Sequence, residues 1–282
     1  MNTIVNQLSF KTWLTSHEIN FKTDVNIAAR SHIKVGGVAE LLVMPSASKE
    51  LSSVIRELNN RSQDYKVIGN LSNLLFRDEL IKTPLISLSS LKSISLDAHK
   101  IFIVESGVMM PTFARKATKL GYRGMAGLVG VPGTLGGGLY MNASCYGSCI
   151  SDHLLDILCV DNTGKEHVLT KDMLNFQWRH SAFHDIYSGF TIISARLSLP
   201  IGVTKDELEL INEISMHRKT FQEKSLPNLG SLFATVDIYS DISKRFLGYR
   251  ICLIIVKIIC RLFPKKRDTY YAILDRKLTL VY

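Results

Sequence analysis

The segment Gly127-Leu128-Val129-Gly130-Val131-Pro132-Gly133-Thr134-Leu135-Gly136-Gly137-Gly138 constrains this chain more than any other. Five of its last seven residues are Gly or Thr. Ordering so many glycines in an apolar region costs backbone entropy, so the segment needs a purpose. One purpose is close approach of main-chain N–H groups to a ligand, since there is little Cβ obstruction. A diphosphate is the natural guest of such a nest, and a helix beginning near Leu139 would add its positive end. A flexible hinge is the other reading. No Gly-Lys-Ser/Thr follows, so this is not a Walker loop, and the spacing is a poor match to the G-x-G-x-x-G dinucleotide fingerprint.

A second candidate phosphate loop, Gly69-Asn70-Leu71-Ser72-Asn73, leaves a short apolar run with small polar side chains able to donate to oxygens. Two such loops in one unit suit the two phosphates of a dinucleotide cofactor.

Composition sets the frame. The 282 residues are 46% apolar and 21% charged, which excludes disorder as the main state and allows about two compact units. Lys plus Arg is 34 against 25 for Asp plus Glu, a net charge of +9. That balance suits an anionic partner or simply a basic surface. The basic residues are not interleaved with aromatics in a nucleic-acid signature, so nucleic acid is not expected as a partner. Five scattered cysteines without a C-x-x-C pair fit a reducing cytosol, and Met1 to Phe10 lacks the pattern of a secretory signal.

The hydrophobic pattern predicts an α+β chain. After a polar lead at 1–23, Ala39 to Met44 reads as a strand. Ser46 then caps a helix in which Leu51, Val54, Ile55 and Leu58 recur at helical spacing as far as Asn60. Strands follow at 65–68, 85–88 and 101–105, then a helix over 111–120 stopped by Gly121. Strands 154–160 and 166–169 flank the turn Asp161-Asn162-Thr163-Gly164 as a hairpin. A strand over 190–199 ends at Pro200, and Asp206 to Phe221 reads as a helix. The alternation places a domain boundary near 200.

Three segments taken together carry a family resemblance: SHIKVGGVA over 31–39, GNLSNLLF over 69–76, and GLVGVPGTLGGGLYMNASCYG over 127–147. From roughly Asp24 to Phe233 the chain resembles UDP-N-acetylenolpyruvoylglucosamine reductase, also called UDP-N-acetylmuramate dehydrogenase. The short stretch between Leu199 and Asp206 is similar to the branch lacking an extra substrate loop. The resemblance implies a two-subdomain FAD-binding fold of the vanillyl-alcohol-oxidase (PCMH) type over 24–200, followed by a reduced or atypical C-terminal substrate domain over 201–282. It implies FAD as cofactor, NADPH as co-substrate, a UDP-sugar as substrate and a cytoplasmic role in peptidoglycan precursor synthesis. Cofactor contacts are implied at Gly69, Asn70, Leu71, Ser72, Asn73, Val131, Pro132, Gly133, Thr134, Gly136, Gly137 and Asn142. Arg179, in Phe176-Gln177-Trp178-Arg179-His180-Ser181, matches the catalytic arginine, and Ser231, in Asn228-Leu229-Gly230-Ser231-Leu232-Phe233, matches the proton-donating serine. Without that match, an Arg after an aromatic reads as a surface ion-pair member and a Ser after Gly as a turn residue.

The chain departs from the family pattern in several places. Leu71 stands where the second glycine of Gly-x-Gly-Ser-Asn belongs. Phe233-Ala234-Thr235-Val236 replaces Phe-Lys-Asn-Pro, and Gln222-Glu223 replaces Gln-Pro. From about Asp237 onward no segment matches the domain that carries the family's catalytic glutamate. A catalytically impaired, FAD-binding relative with an accessory role in surface-polysaccharide synthesis is therefore the second reading.

Other signals are weaker. His180 and His184 have i, i+4 spacing but no third metal ligand accompanies them, so they read as surface or pocket histidines, and Cys145 and Cys149 read as packing residues. Phe246 to Phe263 is apolar but carries Arg250, Lys257 and Arg261 on one helical face, which disfavours a transmembrane span. With Lys265, Lys266 and Arg267 beyond, it reads as a core or dimer helix, or as a peripheral membrane contact through 246–267. The oligomeric state is left open.

Overall fold

The computed structural model describes residues 2–202 and 204–221. The chain divides into two compact units, Met1–Leu229 and Gly230–Tyr282. Ser231, the segment 246–267 and everything from Asp237 onward lie outside the described residues.

The described part is mixed α and β, as expected. A helix α1 (Asn2–Ser16) leads into β1 (Phe21–Asn26), the short helix α2 (Ile27–Arg30), β2 (Val38–Val43), α3 (Ser48–Asn60), β3 (Lys66–Ile68) and β4 (Leu85–Ser87). These strands form one sheet in the order β1-β2-β4-β3, in which β1 runs antiparallel to β2 while β2 and β3 run parallel to β4. Both sheet faces are covered. Leu41, Val43 and Ile86 pack against Leu51, Val54, Ile55 and Leu58 of α3, whereas Leu42 and Leu85 face a smaller cluster with Ile27, Ile68 and Leu71. Two-sided burial accounts for the continuous apolar run in β2.

The second sheet is built from β5 (Ile94–Leu96), β6 (Phe102–Glu105), β9 (Leu154–Val160), β10 (Glu166–Thr170) and β11 (Thr191–Leu197), in the order β10-β9-β11-β6-β5, all antiparallel. The predicted hairpin is present. Asp161 accepts at Oδ1 from the amides of Thr163 and Lys165, and Gly164 supplies the left-handed turn residue. Helices α4 (Met110–Lys119) and α5 (Leu135–Tyr140), with a 3-10 segment Ala126–Gly130 between them, cover this sheet. The hairpin strands β7 (Ser144–Cys145) and β8 (Ser148–Cys149) follow α5. Ile211 and Ile214 of α6 (Thr204–Phe221) complete the same core, while Leu208 and Leu210 are exposed.

The lead, for which the sequence suggested no element, is helical from Asn2, and Phe10 and Leu14, one turn apart, both bury fully beside α3. Two local expectations need correction. The N-cap of α3 is Ala47, not Ser46. Ser46 stands one residue outside and binds the Glu50 carboxylate through both its amide (2.7 Å) and its hydroxyl (2.9 Å). The helix in the glycine run begins at Leu135, not near Leu139, because Thr134 caps it by accepting the Gly137 N–H at 3.4 Å.

Candidate functional site

The candidate loops converge although they are far apart in sequence. Asn70 donates from Nδ2 to the Pro132 carbonyl at 2.8 Å, and the same nitrogen lies 3.0 Å from His32 Nε2. The His32 amide in turn donates to the Leu71 carbonyl at 3.4 Å. One side chain thus joins the 31–39, 69–73 and 127–147 segments. A Cβ on Gly69 would stand 2.7 Å from Thr134 Oγ1, so glycine is what lets the first loop meet the cap of α5. Ser72 Oγ lies opposite Gly133, 3.6 Å from where a Cβ would be. Asn73 is exposed and Val131 packs against the larger core.

Beside this junction lies a cavity of about 490 Å³. Its wall includes Gly69, Asn70, Leu71 and Thr134 from the expected set, together with Ser87, Ser89, Gly107 and Thr112, which no motif had singled out. Ser72, Asn73, Val131, Pro132, Gly133, Gly136, Gly137 and Asn142 do not line it. The glycine run is used differently from the expectation of an open nest. Cβ atoms on Gly136 and Gly138 would stand 2.8 Å from Ser106 Cβ and 2.6 Å from Met110 Sδ. These glycines let α5 pack tightly on β6 and α4, which also argues against a hinge. Gly137 is the exception, exposed and with only Thr134 Oγ1 near its Cβ position, at 3.5 Å.

Leu71 has φ +52, a left-handed conformation uncommon for a branched apolar residue, yet its side chain is buried with Ile27, Ile68 and Leu85. Leu71 thus belongs both to this apolar cluster and to the residues that line the cavity.

At its other end α5 leads to the Arg179 segment. Asn142, at φ +44, donates from Nδ2 to the Gln177 carbonyl at 2.8 Å and accepts from the Cys149 thiol at 3.2 Å. Its amide is therefore engaged by the protein, and Cys149, expected only to pack, is a hydrogen-bonding residue. Gln177 and His180 exchange backbone hydrogen bonds at 3.1 and 3.2 Å, closing a tight turn with Trp178 and Arg179 at its tip. Arg179 has φ +56 and is exposed, and Trp178 is 68% exposed. Ser181, fully buried, donates from Oγ to the Tyr140 carbonyl at 2.7 Å and so fixes this turn to α5. His184 lies between Tyr140 and His180, with ring centroids at 4.2 and 4.8 Å, and His180 Nε2 lies 3.1 Å from Asp185. Among the described residues no group of His, Cys, Asp and Glu is arranged to hold a metal. Arg179 does not line the cavity.

The donor set fits a flavin nucleotide. Small hydroxyl side chains and a glycine loop wall the cavity. No described helix is long and apolar enough to cross a membrane.

Comparison with known proteins agrees. The family described as FAD binding domain matches residues 39–170. A UDP-N-acetylenolpyruvoylglucosamine reductase of Synechococcus sp. (strain RCC307) is 32% identical over 219 residues, which is 77% of this chain and 71% of that protein. The crystal structure of UDP-N-acetylenolpyruvylglucosamine reductase from Thermus caldophilus matches with a TM-score of 0.64 and 25% identity, over 80% of this chain and 79% of that one. Glucooligosaccharide oxidase from Acremonium strictum shares the fold alone, at TM-score 0.51 and 12% identity over 68% of this chain and 42% of that one.

Proposed function

The chain belongs to the UDP-N-acetylenolpyruvoylglucosamine reductase family, and from that premise we propose that it uses NADPH to reduce the enolpyruvyl group of a UDP-sugar in peptidoglycan precursor synthesis. FAD is its cofactor, and Gly69, Asn70, Leu71 and Thr134 are the expected residues that would hold it at the cavity. The chemistry FAD supplies when bound is transfer of a hydride equivalent from NADPH to the substrate double bond.

The remaining work falls to side chains. Adding hydride to a double bond conjugated with a carboxylate puts negative charge on the carboxyl-bearing fragment. A fixed guanidinium lowers the energy of that charge, and Arg179 is the residue proposed for it. The adjacent carbon must then gain a proton, which is the role proposed for the Ser231 hydroxyl. Asn142 and Ser181 act on Arg179 indirectly by holding its turn to α5.

The observation that carries this reading is the single Asn70 side chain joining the first loop to Pro132 and His32. The test is NADPH oxidation dependent on the enolpyruvyl UDP-sugar. Turnover is expected in the full chain, and Arg179→Met should reduce it by roughly a hundredfold, the scale of losing one transition-state contact.

The second reading, an FAD-binding relative without the reductase step, is favoured by the altered residues Gln222-Glu223 and Phe233-Ala234-Thr235-Val236 and by the lack of a segment from about Asp237 onward that matches the one carrying the family's glutamate. Bound flavin without substrate-dependent NADPH oxidation is the result that selects it.

A further inference from the structure

We infer that Arg30 and Lys92 are the cationic contacts of the cavity for a diphosphate, and that this diphosphate is the one at the centre of FAD. The inference rests on the flavoprotein reading above and adds two residues that no sequence motif pointed to. Arg30 ends α2, and Lys92 lies in the connection between β4 and β5, two residues before β5, so neither belongs to the converging loops. Both line the cavity. Among the described lining residues they alone are charged, and no Asp or Glu accompanies them.

Both residues are exposed, and no hydrogen bond or ion pair joins either side chain to another described residue. Two like charges therefore stand at one cavity without a neutralising neighbour from the described chain, an arrangement that favours an anion. The rest of the wall selects among anions. Ser87, Ser89, Thr112 and Thr134 bring four hydroxyls, and Ser87 Oγ donates to Ser89 Oγ at 3.1 Å, which aligns that pair. A planar guanidinium, a point-charge ammonium and several hydroxyls match a group with many oxygens and more than one charge, as in a diphosphate. The diphosphate could belong to FAD or to a UDP-sugar. Lys92 and most of the wall lie within 39–170, the part matching an FAD binding domain, and that assigns it to the cofactor.

The test titrates the full chain, stripped of flavin, with FAD, riboflavin and UDP at low and moderate salt. Arg30→Gln and Lys92→Gln should each weaken FAD about tenfold, the scale of one charge-assisted contact, and flatten the salt dependence of binding. Riboflavin, which has no phosphate, should bind equally to all forms. Arg30→Lys and Lys92→Arg keep the charge and should keep most of the FAD affinity. Thermal melts of the ligand-free proteins check that each variant folds.

Undiminished FAD affinity in the glutamine variants, with the wild type binding FAD, overturns this inference and leaves the flavoprotein reading standing. Equal weakening of riboflavin also overturns it, since the effect would then be structural. Weakened UDP with unchanged FAD gives the cations to the substrate and overturns the assignment to FAD. If the wild type binds neither FAD nor riboflavin, the flavoprotein reading fails and the inference with it.

Discussion

Asn142 and Gln177 are joined by a 2.8 Å hydrogen bond from the Asn142 side-chain amide to the Gln177 carbonyl. That bond ties the end of the glycine-rich segment to the turn presenting Arg179, 37 residues further on. Asn142→Ala removes the bond and places an alanine at φ +44. The two losses together should cost about 2 kcal/mol in urea unfolding. Substrate turnover should fall more than FAD affinity, because the cavity does not include Asn142. An Asn142→Ala protein with full stability and full turnover would show that the bond does not position the turn.

Arg179 occupies a backbone conformation that suits glycine better. Arg179→Gly should relieve roughly 1 kcal/mol of left-handed strain. Its melting temperature should therefore stay level or rise by about 2–4 °C while turnover collapses. Stability and activity moving in opposite directions is what a functional residue in strained backbone produces. A variant that loses stability along with activity would mean that the arginine side chain supports the fold.

Leu71 tests which of two opposed effects wins. Its backbone would relax as glycine, but its side chain fills a cluster with Ile27, Ile68 and Leu85. Removing a buried leucine costs about 2–5 kcal/mol, more than the roughly 1 kcal/mol of strain relieved. Leu71→Gly should therefore unfold at lower urea concentration than the wild type. A more stable variant would mean that the leucine does not anchor the loop.

The β9–β10 turn makes a pH-dependent contribution. Burial pushes the Asp161 carboxyl up, but hydrogen bonds from the Thr163 hydroxyl, His167 and the Lys165 and Thr163 amides outweigh it and hold the group below the usual carboxylate range. A depressed carboxylate stabilises the fold above its unfolded-state value, near 3.9, and that stability is lost as pH falls through the lower folded-state value. Asp161→Asn should thus melt below the wild type at pH 7, with the gap narrowing under pH 4. A gap independent of pH would point to turn geometry and not to charge.

The elements were legible wherever one face of a helix or strand is buried. Leu51, Val54, Ile55 and Leu58 announced α3, and the Asp161–Gly164 turn announced the β9–β10 hairpin. The N-terminal helix was hidden because its buried residues, Phe10 and Leu14, are set among polar ones. The start of α5 was hidden because glycines obscure a helix that Thr134 nucleates by capping. Within the site, the glycine motifs located the loops, whereas the role proposed for Arg179 rests on the family resemblance and Arg179 does not line the cavity; the glycines proved to serve close packing against Ser106 and Met110. Arg30 and Lys92 could not be found from the sequence, since only the folded chain brings residues from two unrelated segments to one cavity.

The most direct measurement is an absorbance spectrum of the purified full chain, before and after anaerobic NADPH and then after the enolpyruvyl UDP-sugar. The account predicts a flavin spectrum that bleaches with NADPH and returns when the sugar nucleotide is added. A colourless protein that takes up no added FAD would contradict it.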